Sequence, residues 1–309
     1  MPSDDDYRDY IYELGLRLNP KKKLPTKLDY RNDLLEIRNQ GDQATCVGLV
    51  GACIKEWQER MDINFREYMS GQFLYNLRTS GHNGMTGRDL MKTIKCYGSC
   101  PERYYPYGLK EKLQDISRKI LIKAKRFGIQ TYAQVMTIGG LKSALIENGP
   151  CYISMPVYQF ENDHFWGPIK PYQKRLGGQA LVVIGYNKKG FILRNSWGSK
   201  WGDSGYIIYP YSEWGSHWEI WTLIDIENRT LDVGDSIMDF RLKKEETVPD
   251  IIDSRLPSDR DLCPANNYLK QYQEKYNRID EHSQMVFKTI KNHQSQSNLS
   301  DNSIIEMTI

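Results

Sequence analysis

The hydrophobic period of this chain changes near residue 150, and this change constrains the fold more than any other feature. In "CVGLVGACIKEWQERM", five apolar residues stand three or four positions apart and predict one buried helix face: Val47, Val50, Ile54, Trp57 and Met61. Comparable patterns predict helices around 65–78, 87–97, 110–126 and 139–147. After residue 150, "CYISMPV", "QALVVIGY", "GFILRNS", "GYIIYPY" and "WEIWTLIDI" are short, β-branched or aromatic, and punctuated by glycine, which predicts antiparallel strands. Helices followed by strands indicate an α+β protein with two lobes.

The composition of the two ends differs from that of the middle. Residues 1–23 are polar, with a basic run "PKKKLP", and predict a short leader that is flexible or lies across the body. The folded domain is expected over 24–232. Residues 233–309 are polar again and predict an extension with one helix over 265–292 and a disordered end.

Charge and hydropathy argue against several classes of partner. The formal charge is +3, from 42 basic and 39 acidic residues, which gives no electrostatic reason to expect nucleic acid or an anionic membrane. No apolar run approaches the roughly 20 residues that span a bilayer, and the N-terminus lacks a signal pattern. An intracellular, cytoplasmic protein is therefore expected.

The six cysteines form no disulfide framework. "CYGSC" (Cys96, Cys100) has no second Cys or His pair at a matching spacing, so ordinary thiols are favoured there over a metal site. No metal or cofactor is predicted.

Cys46 is the first candidate for chemistry. It follows Thr45, a favourable helix N-cap, and opens the first long helix, whose positive end favours a thiolate. A buried structural cysteine is the usual interpretation of such a position. However, Gln40 stands six residues earlier, and its amide, with the backbone N–H at the helix start, could stabilise an oxyanion.

Two segments together carry a family resemblance. "NQGDQATCVGLVGA" resembles the nucleophile segment of papain-like (cathepsin-type) cysteine peptidases, and "RNSWGSKWGDSGYIIY" is similar to their asparagine segment. "LPTKLDYR", "NGMTGRDLMKTIKCYG" and "CPERYYPY" match further family segments in the same order, over roughly residues 24–230. The resemblance implies a helical lobe, an antiparallel β-barrel lobe, and a peptide or protein substrate bound in the cleft between them. The chain also resembles the papain-like proteins that microbes or large DNA viruses encode. For a viral protein, a location in the virion is an alternative.

The resemblance implies catalytic roles for three residues. Cys46 would be the nucleophile that forms a thioester, Gln40 an oxyanion donor, and Asn195 the residue that orients a catalytic histidine.

It also implies a substrate-binding role for a second set of residues. Gly84 and Met85 would pair their backbone with the substrate. Gly178 would leave room beside the histidine position, Trp197 would shield the histidine–asparagine hydrogen bond, and Trp201 would line the leaving-group side. The main specificity pocket would be floored by residues within "WGSHWEIWTL".

The histidine itself is missing. The family places it sixteen residues before the asparagine, and here that position is Gln179. Glutamine cannot take the thiol proton or protonate the leaving amine, so the Cys46 thiol is expected to keep a pKa of about 8.5, lowered a little by the helix.

Three accounts of Gln179 therefore stay open. The chain is a cysteine peptidase whose activity is in doubt, a natural pseudo-peptidase that binds peptides or proteins, or an engineered inactive mutant. Of the five histidines, His164 is the only one that the order of elements places near the cleft mouth, where it could rescue a slow enzyme.

Overall fold

The computed structural model describes residues 2–7, 9–16, 24–79, 84–110, 115–160, 164–168 and 170–225. These residues belong to one compact unit. The predicted extension over 233–309, its helix, and His82, His282 and His293 lie outside the described residues.

The first half of the described chain is helical. Six α-helices follow one another: α1 (Tyr12–Leu16), α2 (Cys46–Ile63), α3 (Gly71–Asn76), α4 (Gly87–Tyr97), α5 (Arg118–Lys125) and α6 (Ile138–Asn148). α2 is the central one, and most of its residues are buried against α3, α4 and the sheet. Of the five residues of the predicted apolar face, only the last, Met61, is exposed.

The second half supplies most of an antiparallel sheet. Its strands are β1 (Leu28–Asp29), β2 (Thr131–Gln134), β3 (Cys151–Val157), β4 (Gly177–Tyr186), β5 (Gly190–Arg194), β6 (Tyr206–Pro210) and β7 (Glu219–Ile224). The order across the sheet is β2-β7-β3-β4-β5-β6, with β1 also paired to β4. β3 and β5 are buried along their whole length, which accounts for their continuous apolar sequences. The α+β class predicted from the change of period is confirmed.

One predicted helix is shorter than expected, and a second is described only in part. The pattern over 65–78 yields only α3, because Asn64 adopts a left-handed conformation (φ 55°) that ends α2, and Met69 then bridges to Pro101 as extended chain. Ser70 caps α3 by accepting the N–H of Phe73. Within 110–126, residues 111–114 lie outside the described residues, and α5 begins after Ser117, which caps it in the same way.

The described part of the leader lies across the body, one of the two alternatives expected from the sequence. Asp9 pairs with Arg88 of α4. The Glu13 carboxylate accepts the backbone N–H of Thr137 at 2.8 Å, immediately before α6. The described residues of the leader, 2–7 and 9–16, are therefore anchored both to α4 and to the segment before α6. Among the described residues, no helix is long and apolar enough to cross a membrane.

Candidate active site

A short backbone ladder joins the segment before α2 to the loop after β5. Gln40 N donates to Ser196 O at 2.8 Å, and Gly198 N donates to Arg38 O at 3.1 Å. Asn39 and Trp197 form the bridge between these two bonds. The two segments that carry the family resemblance are therefore held side by side, although they are far apart in sequence.

Cys46 begins α2 and faces β4. Its side chain is only 9% exposed. The backbone N–H groups of Ala180 and Val47 donate to the thiol, so the sulfur lies against the residue that follows Gln179. Burial raises the pKa of the Cys46 thiol, and these donors oppose that effect only in part. The expectation of a pKa near 8.5 or slightly below was wrong, because desolvation outweighs the helix end.

Gln179 lies on β4 at the position that the sequence predicted for a histidine. It is 4% exposed. Its amide Nε2 donates to Asn195 Oδ1 at 2.8 Å and to Gln40 Oε1 at 3.0 Å, with Ser196 Oγ at 3.3 Å. The amide thus makes the hydrogen bond to asparagine that an imidazole N–H would make, but it offers no base to the thiol.

Gln40 and Ser196 complete this polar network. Ser196 Oγ donates to Gln40 Oε1 at 2.7 Å, and Gln40 Nε2 donates to Gln43 O at 2.9 Å. Asn195 Oδ1 also accepts the backbone N–H of Ser196 at 2.8 Å. The four side chains of Gln40, Gln179, Asn195 and Ser196 therefore fix one another beside Cys46, and the sequence had indicated no role for Ser196.

Tyr107 is a second residue that the sequence did not single out. Its hydroxyl donates to Gln40 O at 2.9 Å and lies 2.5 Å from Thr45 Oγ1. Thr45 is the N-cap of α2, but its hydroxyl makes no capping bond. Tyr107 therefore ties both ends of the turn that runs from Gln40 to Cys46. The sequence had indicated only that "CPERYYPY", which contains Tyr107, matches a further family segment.

An aromatic cluster lies next to the ladder. Trp197 and Trp201 make an edge contact with ring centroids 5.1 Å apart. Phe165 packs on both indoles, and the exposed ring of Phe160 covers Trp197 from the solvent side. The two tryptophans predicted to lie at the cleft are thus adjacent and supported by the loop between β3 and β4.

The glycines predicted at the cleft differ in their surroundings. Gly84 has φ 123°, and a Cβ there would meet nothing within 4 Å, so this backbone is open to one side. Met85 is buried. Gly178 is exposed, but a Cβ there would lie 2.3 Å from the indole of Trp218. The room expected beside Gly178 is therefore limited on its Cβ side by Trp218.

Glu219 lies in β7, within the segment "WGSHWEIWTL". Its buried carboxylate accepts the backbone N–H of Gly87 at 3.0 Å and that of Ser3 at 3.2 Å. A Cβ on Gly87 would also meet the ring of Tyr152. The leader therefore reaches the region where the sequence indicated the main specificity pocket.

Neither described histidine takes the place of the missing base. His164 Nδ1 lies 2.9 Å from Glu213 Oε2, and its ring packs on Trp166. His217 Nδ1 lies 3.0 Å from the Tyr209 hydroxyl. No hydrogen bond joins either imidazole to Cys46 or Gln179 within the described ranges. The same part of the chain contains no group of His, Cys, Asp and Glu residues that could hold a metal ion.

Comparison with known proteins gives consistent matches. The family model described as papain family cysteine protease matches residues 24–218. The uncharacterized peptidase C1-like protein L477 of Acanthamoeba polyphaga mimivirus is 27% identical over 197 residues, covering 56% of this chain and 63% of that protein. A cathepsin L-like proteinase of Phaedon cochleariae is 30% identical over 199 residues, covering 59% of each chain. The chain thus spans about 60% of the length of these relatives.

Solved structures match at the level of the fold. Xylellain, a cysteine protease from Xylella fastidiosa, superposes with a TM-score of 0.62 at 24% identity, covering 74% of this chain and 95% of that one. The cysteine protease CMS1MS2 of Carica candamarcensis, in complex with E-64, gives a TM-score of 0.51 at 19% identity, covering 65% and 99%.

Proposed function

The chain belongs to the papain family of cysteine proteases, and from this membership we propose that it binds peptides or proteins beside Cys46 without hydrolysing them at an appreciable rate. The supporting observation is the side chain of Gln179, whose amide donates to Asn195 at 2.8 Å where a general base is needed. Peptide binding depends on the shape of the cleft and on backbone groups, neither of which requires an imidazole.

The chemistry of the thiol supports a slow or silent site. Thioester formation needs a thiolate, and burial raises the pKa of Cys46. It also needs an acid to protonate the leaving amine, and an amide cannot supply that proton. Loss of this acid–base group alone costs a factor on the order of 10² to 10⁴.

A second candidate function is hydrolysis of peptide bonds through a thioester at Cys46. It is supported by the surroundings of the sulfur, which lies at the start of α2 and against the backbone N–H of Ala180. For this function the side-chain amide of Gln40 would have to donate to the oxyanion. Its Nε2 would then serve two acceptors, the oxyanion and Gln43 O.

Activity assays separate the two functions. The unchanged chain is incubated with fluorogenic peptides and with E-64, the compound bound in the CMS1MS2 complex, and hydrolysis and mass addition at Cys46 are measured. We expect neither from the unchanged chain. Hydrolysis that Cys46→Ala abolishes would contradict the binding function and support the peptidase.

Binding is tested with a fluorescein-labelled pool of random decapeptides, by fluorescence polarisation. Cys46→Ser is expected to bind as the unchanged chain does, whereas Cys46→Trp fills the space beside β4 and is expected to lose binding. Equal binding by both variants would show that peptides do not lie beside Cys46. Circular dichroism of both variants checks the fold.

A further inference from the structure

Basic and acidic residues are nearly equal in number over the whole chain, but one segment is strongly basic. Between Ile116 and Ile146 the chain contains no Asp or Glu but six basic residues: Arg118, Lys119, Lys123, Lys125, Arg126 and Lys142. Five of the six fall within or directly after α5. The net charge of +3 is therefore an average over regions of different sign.

α5 presents one outward face. Arg118, Lys119, Ile122 and Lys125 are exposed, whereas Ala124 on the opposite side is fully buried. At 100° per residue, the four exposed side chains lie within an arc of about 120°. Ile122 is 44% exposed at the centre of this arc, with cations on both sides. These four residues are called the α5 face below.

Two of the cations stand at the unfavourable end of the helix. Arg118 and Lys119 are the first two residues of α5, and its first turn has no acidic residue. Positive charge at a helix N-terminus opposes the helix dipole, so these residues do not serve the stability of α5. Among the described residues, neither side chain has a hydrogen-bond or ion-pair partner.

Lys125 differs from Arg118 and Lys119 in that its position stabilises the helix. It stands in the last turn, where a cation is favourable, and its Nζ donates to Cys96 O at 2.6 Å at the end of α4. A structural role therefore explains Lys125 but not Arg118, Lys119 or the exposed Ile122. Residues that do not stabilise their own helix or strand are typical of functional surfaces.

We propose that the α5 face docks on an anionic lipid surface. Basic side chains would approach the acidic headgroups while Ile122 enters the boundary between headgroups and acyl chains. The phosphate backbone of a nucleic acid would satisfy the cations, but it offers no apolar partner to Ile122. The proposal departs from the expectation of no membrane partner, which was drawn from the net charge alone. The inference is independent of whether Cys46 is active.

The test is co-sedimentation of the purified chain with vesicles of phosphatidylserine and phosphatidylcholine, compared with phosphatidylcholine alone. Binding is expected only with phosphatidylserine and is expected to fall as the salt concentration rises, because exposed charges are screened. The double variant Arg118→Glu/Lys119→Glu is expected to lower the partition coefficient at least 25-fold, at about fivefold for each cation removed. This variant is safe for the fold, since acidic residues are favoured in a first helical turn.

Two further variants sharpen the result. Ile122→Gln keeps the charge and is expected to lower binding several-fold. Lys188→Glu/Lys189→Glu makes the same charge change in the exposed turn between β4 and β5 and is expected to bind as the unchanged chain does. Thermal unfolding of each variant checks that the fold is intact.

Three outcomes would overturn the proposal. The first is equal vesicle binding by the unchanged chain and Arg118→Glu/Lys119→Glu, and the second is an equal loss in Lys188→Glu/Lys189→Glu. The third is tighter binding to a fluorescein-labelled DNA duplex than to phosphatidylserine vesicles, with no effect of Ile122→Gln, which would assign the face to a nucleic acid.

Discussion

Gln179 donates its side-chain amide to Asn195 Oδ1 at 2.8 Å, a bond that joins β4 to the loop after β5. The same nitrogen reaches Gln40 Oε1 at 3.0 Å. Glutamine is therefore accommodated as a hydrogen-bond donor, and the surrounding side chains are arranged to receive it. What this arrangement lacks is a group that exchanges a proton with Cys46 near neutral pH.

Replacing Gln179 by histidine is expected to restore that group. An imidazole at this place on β4 would donate to Asn195 and present its second nitrogen toward Cys46. We expect hydrolysis of fluorogenic peptides to rise by about 10² to 10⁴ over the unchanged chain, as general acid–base catalysis typically contributes. Gln179→His/Cys46→Ala is the matched control and should be silent. A histidine variant as inactive as this control would argue against peptidase chemistry at the site.

The reactivity of Cys46 in the unchanged chain is expected to depend on pH in a specific direction. Burial favours the neutral thiol and raises its pKa, so the thiolate forms only at alkaline pH. Alkylation by iodoacetamide, followed by mass mapping of the Cys46 peptide, should still be increasing above pH 9. A rate that reaches its plateau below pH 8 would mean that the thiol is activated by a partner.

Tyr107→Phe is expected to loosen the turn before α2. The change removes the bond to Gln40 O at 2.9 Å and the contact with Thr45 Oγ1 at 2.5 Å. The free energy of unfolding in urea should fall by about 1 to 3 kcal/mol, the cost of leaving such groups unpaired. Tyr104→Phe removes a hydroxyl that accepts only a long bond from Arg103 and should have little effect. An equal decrease in the free energy of unfolding in both variants would show that the Tyr107 hydroxyl contributes no more to stability than the Tyr104 hydroxyl.

His217 is expected to make the fold sensitive to acid. Burial lowers its pKa to about 4, below the value of about 6.5 for an unfolded chain. Between these two values the unfolded chain binds more protons, so stability falls as the pH drops from 6.5 to 4 and is unaffected by this residue above that window. The slope is at most about 1.4 kcal/mol per pH unit.

The pH dependence of urea unfolding measures this effect. His217→Gln should show a flatter decline than the unchanged chain below pH 6.5, and the two profiles should run parallel from pH 7 to 9. Parallel profiles over the whole range would mean that the His217 ring has the same pKa in the folded and the unfolded chain.

Local patterns in the sequence were sufficient for the fold class and for the register of the candidate site. The start of α2 at Cys46 follows from the apolar spacing after Thr45, because helix periodicity is a short-range property. The spacing of sixteen residues between Gln179 and Asn195 is also contained in one stretch of chain, and the structure joins those two side chains directly. The limits of the helix expected over 65–78 were not predictable in this way, since Met69 pairs with Pro101, a distant residue.

The tertiary structure alone decided how the residues of the site act on one another. Gln40 and Gln179 are 139 residues apart, and Tyr107 lies 67 residues from Gln40, so no local pattern records their hydrogen bonds. The sequence placed Cys46 at a helix end that favours the thiolate, but packing against Ala180 buries the sulfur and raises its pKa. Residue types determined which chemistry is possible, whereas the proton affinity of each group depends on its solvation and its neighbours, which exist only once the sheet has packed on α2.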